Sequence, residues 1–177
     1  MKNQLLFGLT LISCTALAEG NTPYFESAKS GDIQALGDYL STHKSEINAV
    51  DEKGYTALIY AAYYGQEQAV TYLLKKGADP CVKDKRGNTA TLGAIFKGHL
   101  GIAKTLLKSK CGVNDANEIG QTPLMFASLF GRNEIAKELL KSGADQSKKD
   151  INGNTATSLA EGQGNEEMLN ILGRKSK

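Results

Sequence analysis

Tryptophan is absent from this 177-residue chain, histidine occurs twice and cysteine three times. So few imidazoles and thiols leave acid–base or nucleophilic catalysis little to stand on. No Ser or Cys has a convincing base partner, and the sequence holds no metal-ligand cluster or phosphate-cradling glycine loop. Neither sign of charge dominates. Lys and Arg total 21 against 19 for Asp and Glu, and a formal charge of +2 gives no reason to expect nucleic acid or an acidic surface as partner. The basic cluster at residues 174–177 reads as a solvated tail. Long apolar runs are lacking too: residues 5–12 fall far short of the ~20 needed to cross a bilayer, and no later segment approaches that length. What is present is a 41% apolar, 23% charged composition, which suits one soluble domain with an ordinary core.

The first residues read as an export signal. Lys2 precedes the apolar run, and Ala16-Leu17-Ala18 offers the small side chains a signal peptidase accepts, which predicts cleavage after Ala18. A competing reading takes Leu11-Ile12-Ser13-Cys14 as a lipobox, with Cys14 carrying a lipid anchor. That signal would be unusually short, so soluble export to the periplasm or beyond is favoured over a membrane-anchored lipoprotein. If Cys14 leaves with the signal, Cys81 and Cys111 remain as an even pair in an oxidising compartment.

Glycine is plentiful and in step. Gly54, Gly87, Gly120 and Gly153 are 33 residues apart, each followed two positions on by Thr56, Thr89, Thr122 or Thr155. Gly65, Gly98, Gly131 and Gly164 keep the same beat, as do Ala61, Ala94, Ala127 and Ala160, and Asp51, Asp84, Asn117 and Asp150. Each threonine stands where its hydroxyl can accept a helix N–H, and Pro123 takes an early helical position that needs no donor. Gly65, Gly98 and Gly131 end the first helices. Val70, Leu73 and Leu74 recur as Ala103, Leu106 and Leu107 and as Ala136, Leu139 and Leu140, an apolar stripe at helical spacing that predicts core in the second helices. Gly77 and Gly143 close those helices, with Lys110 at the matching place between them.

This pattern resembles the ankyrin repeat family, with its "TPLHxA" signature and "GHLEIVKLLLxxGAD" stretch. "GQTPLMFASLFGRNEIAKELLKSGAD" and "KGHLGIAKTLLK" carry the likeness most closely. The resemblance implies an all-α repeat solenoid in which helix pairs alternate with β-hairpin arms. A signal peptide would occupy residues 1–18, an N-terminal capping repeat and link 19–53, full repeats 54–86, 87–119 and 120–152, and a C-terminal capping repeat with its basic tail 153–177. The signature histidine is replaced by Ile59, Leu92, Met125 and Ser158, so apolar packing is expected to take over that seam. Thr91 puts a hydroxyl at a normally buried leucine position, where local loosening is expected. His99 fills the family's "GH" position and His43 lies in the irregular link; both read as structural or solvated.

In the family, the two residues before the first-helix glycine lie on the concave face, where partners are often held. Here they are Tyr63 and Tyr64, Phe96 and Lys97, and Leu129 and Phe130, of which all but Lys97 are aromatic or aliphatic. These six form the expected partner-binding strip, with Tyr55 extending it and the arm-tip residues Lys85, Arg86, Glu118 and Ile119 as a polar rim. Cys81 and Cys111 lie in post-helix loops of adjacent repeats, offset by three motif positions, and the spacing leaves bridge and free thiols equally open. The implied function is non-catalytic protein recognition with no cofactor. An export signal on a compact array looks like small bacterial periplasmic members of the family, some of which are associated with catalase and peroxide protection. A second reading is an immunity protein that blocks a toxin enzyme with the same strip.

Overall fold

The computed structural model describes residues 22–109 and 111–173. The export segment with Cys14, together with Lys110 and the basic tail, lies outside the described residues. Ten α-helices follow one another in five antiparallel pairs among the described residues: α1 (Thr22–Ser30) with α2 (Ile33–Thr42), α3 (Ala57–Tyr63) with α4 (Glu67–Lys75), α5 (Ala90–Lys97) with α6 (Leu100–Leu107), α7 (Pro123–Leu129) with α8 (Asn133–Lys141), and α9 (Ala156–Gly162) with α10 (Glu166–Ile171). Among the described residues, first helices stack on first helices and second on second, so each pair packs mainly on its neighbours.

The repeat residues explain these boundaries. Thr56, Thr122 and Thr155 accept the backbone N–H three residues on at 3.1, 3.3 and 3.2 Å. Thr89 departs from that expectation: it is buried and caps α5 through its extended backbone, without a side-chain bond to the helix. The core runs between the two rows of helices. Ala61, Ala94, Ala127 and Ala160 are fully buried along the inner row, where a small side chain lets successive helices approach closely. Opposite them, Val70 with Leu73, Ala103 with Leu106 and Ala136 with Leu139 are buried, whereas Leu74, Leu107 and Leu140 of the stripe read from the sequence are half-buried against that core. Ile59, Leu92 and Met125 are buried where the family carries histidine, while Ser158 is exposed and exchanges hydrogen bonds with Thr155 instead. Thr91 is buried as well, and α5 runs through it unbroken.

The arms are simpler than hairpins of strands. Among the described residues there is one isolated antiparallel bridge, Val50 to Thr56, and no strand. Each arm is a turn wound around one acid or amide: Asp84 Oδ1 accepts from the N–H groups of Arg86 and Asn88, both at 2.8 Å, and Asp51, Asn117 and Asp150 repeat the pattern. Neighbouring arms are joined by single backbone bonds, Lys85 N–H to Lys53 O, Glu118 N–H to Arg86 O and Ile151 N–H to Ile119 O, at 3.0–3.1 Å. Glycine at the turn is required twice over. Gly87 has φ of 78°, and a Cβ there would lie 2.5 Å from the Glu118 nitrogen.

Candidate protein-binding groove

A groove of 520 Å³ runs between the arms and the first helices of the three central pairs. Its aromatic lining is continuous. The Tyr63 and Phe96 rings stack at 5.9 Å, Phe96 meets Phe130 edge-on at 4.8 Å, and Phe130 meets Phe126 at 5.6 Å. In the other direction Tyr63 touches Tyr64, and Tyr64 leads through Tyr60 to Tyr55. Each ring presents its edge or offset face to the next, the arrangement aromatic quadrupoles favour.

Of the expected strip, Tyr63, Tyr64, Phe96 and Phe130, with Tyr55, join in a chain of rings that is less open than a solvent-facing ladder. Tyr64 is 52% exposed and Phe96 37%, whereas Tyr63, Leu129, Phe130 and Tyr55 are half-buried. Leu129 and Lys97 do not line the groove, but the Lys97 ammonium sits 5.2 Å from the Tyr63 ring centre. Of the rim residues, Arg86 lines the groove; Lys85, Glu118 and Ile119 are exposed at the tips and tie arm to arm through their backbones.

Sequence reasoning missed the column that gives the groove its depth. Tyr60, Gly93 and Phe126 occupy the same place in successive repeats and all line it, with a missing side chain between two rings. Tyr60 also braces the first arm. Its hydroxyl donates to Asp51 Oδ2 at 2.5 Å, its ring packs against Phe25 at 5.8 Å, and the Lys29 ammonium lies 4.3 Å above it. Burial raises the Tyr60 pKa, and the bond to the Asp51 carboxylate raises it further. At Asp51 burial also pushes upward, but the Tyr60 hydroxyl and the N–H groups of Tyr55 and Lys53 outweigh it, and the carboxyl stays below its ordinary range.

Two further columns hold the groove walls in register. At the start of α4, α6, α8 and α10 a polar side chain reaches back to the preceding pair. Gln66 donates to the Lys29 carbonyl at 2.8 Å, Arg132 Nη2 to the Phe96 carbonyl at 2.8 Å, and Asn165 to Asn133 Oδ1 at 3.1 Å. His99 belongs to this set, its Nε2 3.2 Å from the Tyr63 carbonyl. A carbonyl only accepts, so Nε2 carries the proton and His99 is a brace under the ladder. His43 stacks on Tyr39 at the end of α2, outside the groove lining.

The other column joins the post-helix loops. Asn48 Oδ1 accepts from Asp79 N–H and Asn114 Oδ1 from Asp145 N–H, each at 2.8 Å. Cys81 stands 33 residues from both asparagines, and at this joint a disulfide to Cys111 replaces the hydrogen bond, with Cα atoms 5.4 Å apart. The structure thus joins the pair that the sequence left open. Among the described residues no group of three or more His, Cys, Asp and Glu could hold a metal, and no helix is long and apolar enough to cross a membrane.

A family model described as ankyrin repeats matches the chain three times, at residues 3–84, 77–150 and 92–176. This chain belongs to the ankyrin repeat family. The ankyrin array shares 45% identity over 58 residues with the human NAD-capped RNA hydrolase NUDT12, a match that covers 33% of the chain and 13% of that enzyme. It shares 38% over 53 residues with the human DNA-binding protein RFXANK, covering 30% of the chain and 20% of the relative. With the human ankyrin repeat family A protein 2 it shares 35% over 69 residues, covering 39% and 22%. The chain thus matches less than a quarter of the length of each of these curated relatives. What the likeness carries is the ankyrin stack itself, an architecture that serves as a protein-interaction scaffold.

Proposed function

We propose that the array is a non-catalytic recognition scaffold of the periplasm, and that its partner is a catalase-type enzyme of peroxide defence. The observation that carries the recognition reading is the unbroken series of partly exposed rings beside the groove, held at fixed spacing by the braces beneath it. A rigid stack of this kind presents side chains without an ordering cost on binding. The disulfide between Cys81 and Cys111 supports an oxidising compartment, where such bonds persist. The peroxide link rests on the likeness of an export signal joined to a compact array, as in small bacterial periplasmic members of the family.

Light scattering on mixtures of the full chain with catalase from the same periplasm tests both parts. A defined complex is expected, weakened by Tyr64→Ser with Phe130→Ser by about 30-fold or more, the loss typical of aromatic anchors. No complex with catalase removes that partner. A complex indifferent to the two replacements removes the ladder as its contact.

A further inference from the structure

We propose that the groove takes an acidic segment of another protein, with one aromatic side chain of that segment seated over Gly93. This deepens the recognition reading above and rests on it. The seat is defined by the missing side chain between Tyr60 and Phe126, at a groove whose 520 Å³ falls within the ~300–1,000 Å³ common for ligand sites. A Cβ at Gly93 would meet its nearest neighbours, Tyr63 Cβ and the Ile59 carbonyl, at 3.8 and 4.0 Å, ordinary contact distances. Neither steric crowding nor a positive φ calls for glycine in this helix, where it weakens the local structure. A guest ring there would find edge and face partners in the flanking aromatics.

Charge selects the flanks. Lys53 and Arg86 line the groove, with Lys85 at an arm tip and Lys97 over the Tyr63 ring just outside the lining, and none of the four makes an ion pair with a carboxylate of another described residue. Lys29, which also lines the groove, is paired with Glu26 within α1, and the other ion pairs among the described residues run along the second helices. Among the described residues the one acid lining the groove, Asp84, is buried and has its oxygens taken by Arg86 N–H, Asn88 N–H and Asn88 Nδ2. Glu52 and Glu118 stand at the arm tips, outside the lining. Lys53 and Arg86, without an ion-pair partner beside the aromatic walls, are complementary to carboxylates flanking an apolar anchor.

Calorimetric titration of the intact, oxidised chain decides the matter. The probes are a blocked peptide with one Trp among Asp and Glu residues, its Lys-flanked counterpart, the acidic peptide with Ala for Trp, and single-stranded oligothymidylate. The acidic Trp peptide is expected to bind about tenfold or more tighter than each of the others and to weaken with added salt. Gly93→Leu, which fills the seat, should abolish binding, and Lys53→Glu with Arg86→Glu, on exposed arms away from the core, should cost about tenfold. Gly93→Ala should retain the fold. Equal binding of acidic and basic peptides, no binding of the acidic peptide, tighter binding of the oligonucleotide, or indifference to the arm replacements would each overturn the proposal. If the peptides fail while Tyr64→Ser with Phe130→Ser still disrupts a catalase complex, the acidic segment falls and the ladder stands.

Discussion

Reducing the Cys81–Cys111 bridge should loosen the array far more than breaking either neighbouring joint. The bridge spans 30 residues of sequence. In the chain-entropy model, closing a loop of that size restricts the unfolded chain by about 12 cal/mol/K, or about 3.6 kcal/mol at 25 °C. The Asn48 and Asn114 hydrogen bonds that occupy the same column are each worth about 1 kcal/mol. For a chain of this size a loss of 3.6 kcal/mol corresponds to roughly 7–14 °C in Tm. Replacing Cys81 by Asn and Cys111 by Ser should not recover it, because Asp115 Oδ2 already holds the Gly112 N–H that an asparagine at 81 would need. The measurement is a calorimetric melt of the oxidised chain, the reduced and alkylated chain and this double variant, with mass spectrometry to establish the thiol state. Equal melting temperatures with fully alkylated thiols would refute the reasoning, as would a variant as stable as the oxidised protein.

Four other outcomes follow from the same geometry. Gly87→Ala forces a Cβ into both a positive φ and the next arm, and should cost more than about 1–2 kcal/mol in urea unfolding. Thr56→Ala removes a helix cap and should cost about 1 kcal/mol, whereas Thr89→Ala, with no side-chain cap bond to lose, should cost less through that mechanism; paired urea curves separate them. Acid should destabilise the array: Asp51, Asp145 and Asp150 have folded pKa values below their unfolded ones, so their contribution is full above about pH 4 and is lost as pH falls through the folded values. Tyr60→Phe should move the Asp51 carboxyl upward, read by NMR titration of its side-chain carbon.

Much of the architecture was legible because a 33-residue beat places each residue type in one environment over and over. The threonines, the alanines and the turn glycines could each be assigned a role from their column alone. Thr89 was misassigned because a side-chain rotamer, unlike a backbone position, is not fixed by period. The bridge stayed open because Cα separation across two loops depends on how one repeat is rotated on the next, and no spacing encodes that rotation. The groove's floor escaped for a different reason. Tyr60, Gly93, Phe126 and Leu159 differ so widely in size that no type-based pattern joins them, yet the irregularity of that column was itself the signal of a recess. The same column-by-column comparison would have shown Cys81 standing in for Asn48 and Asn114.

The placement of the covalent joint has a mechanical consequence. It lies near the middle of the stack, between pairs that otherwise pack mainly on their immediate neighbours. Thermal fraying in such an array begins at the outermost pairs and advances inward like two zippers opening toward each other. The clasp sits where those advances would meet, so the helices that carry Tyr63 and Phe96 are the last to part company, and the recognition surface outlives the caps that shelter it.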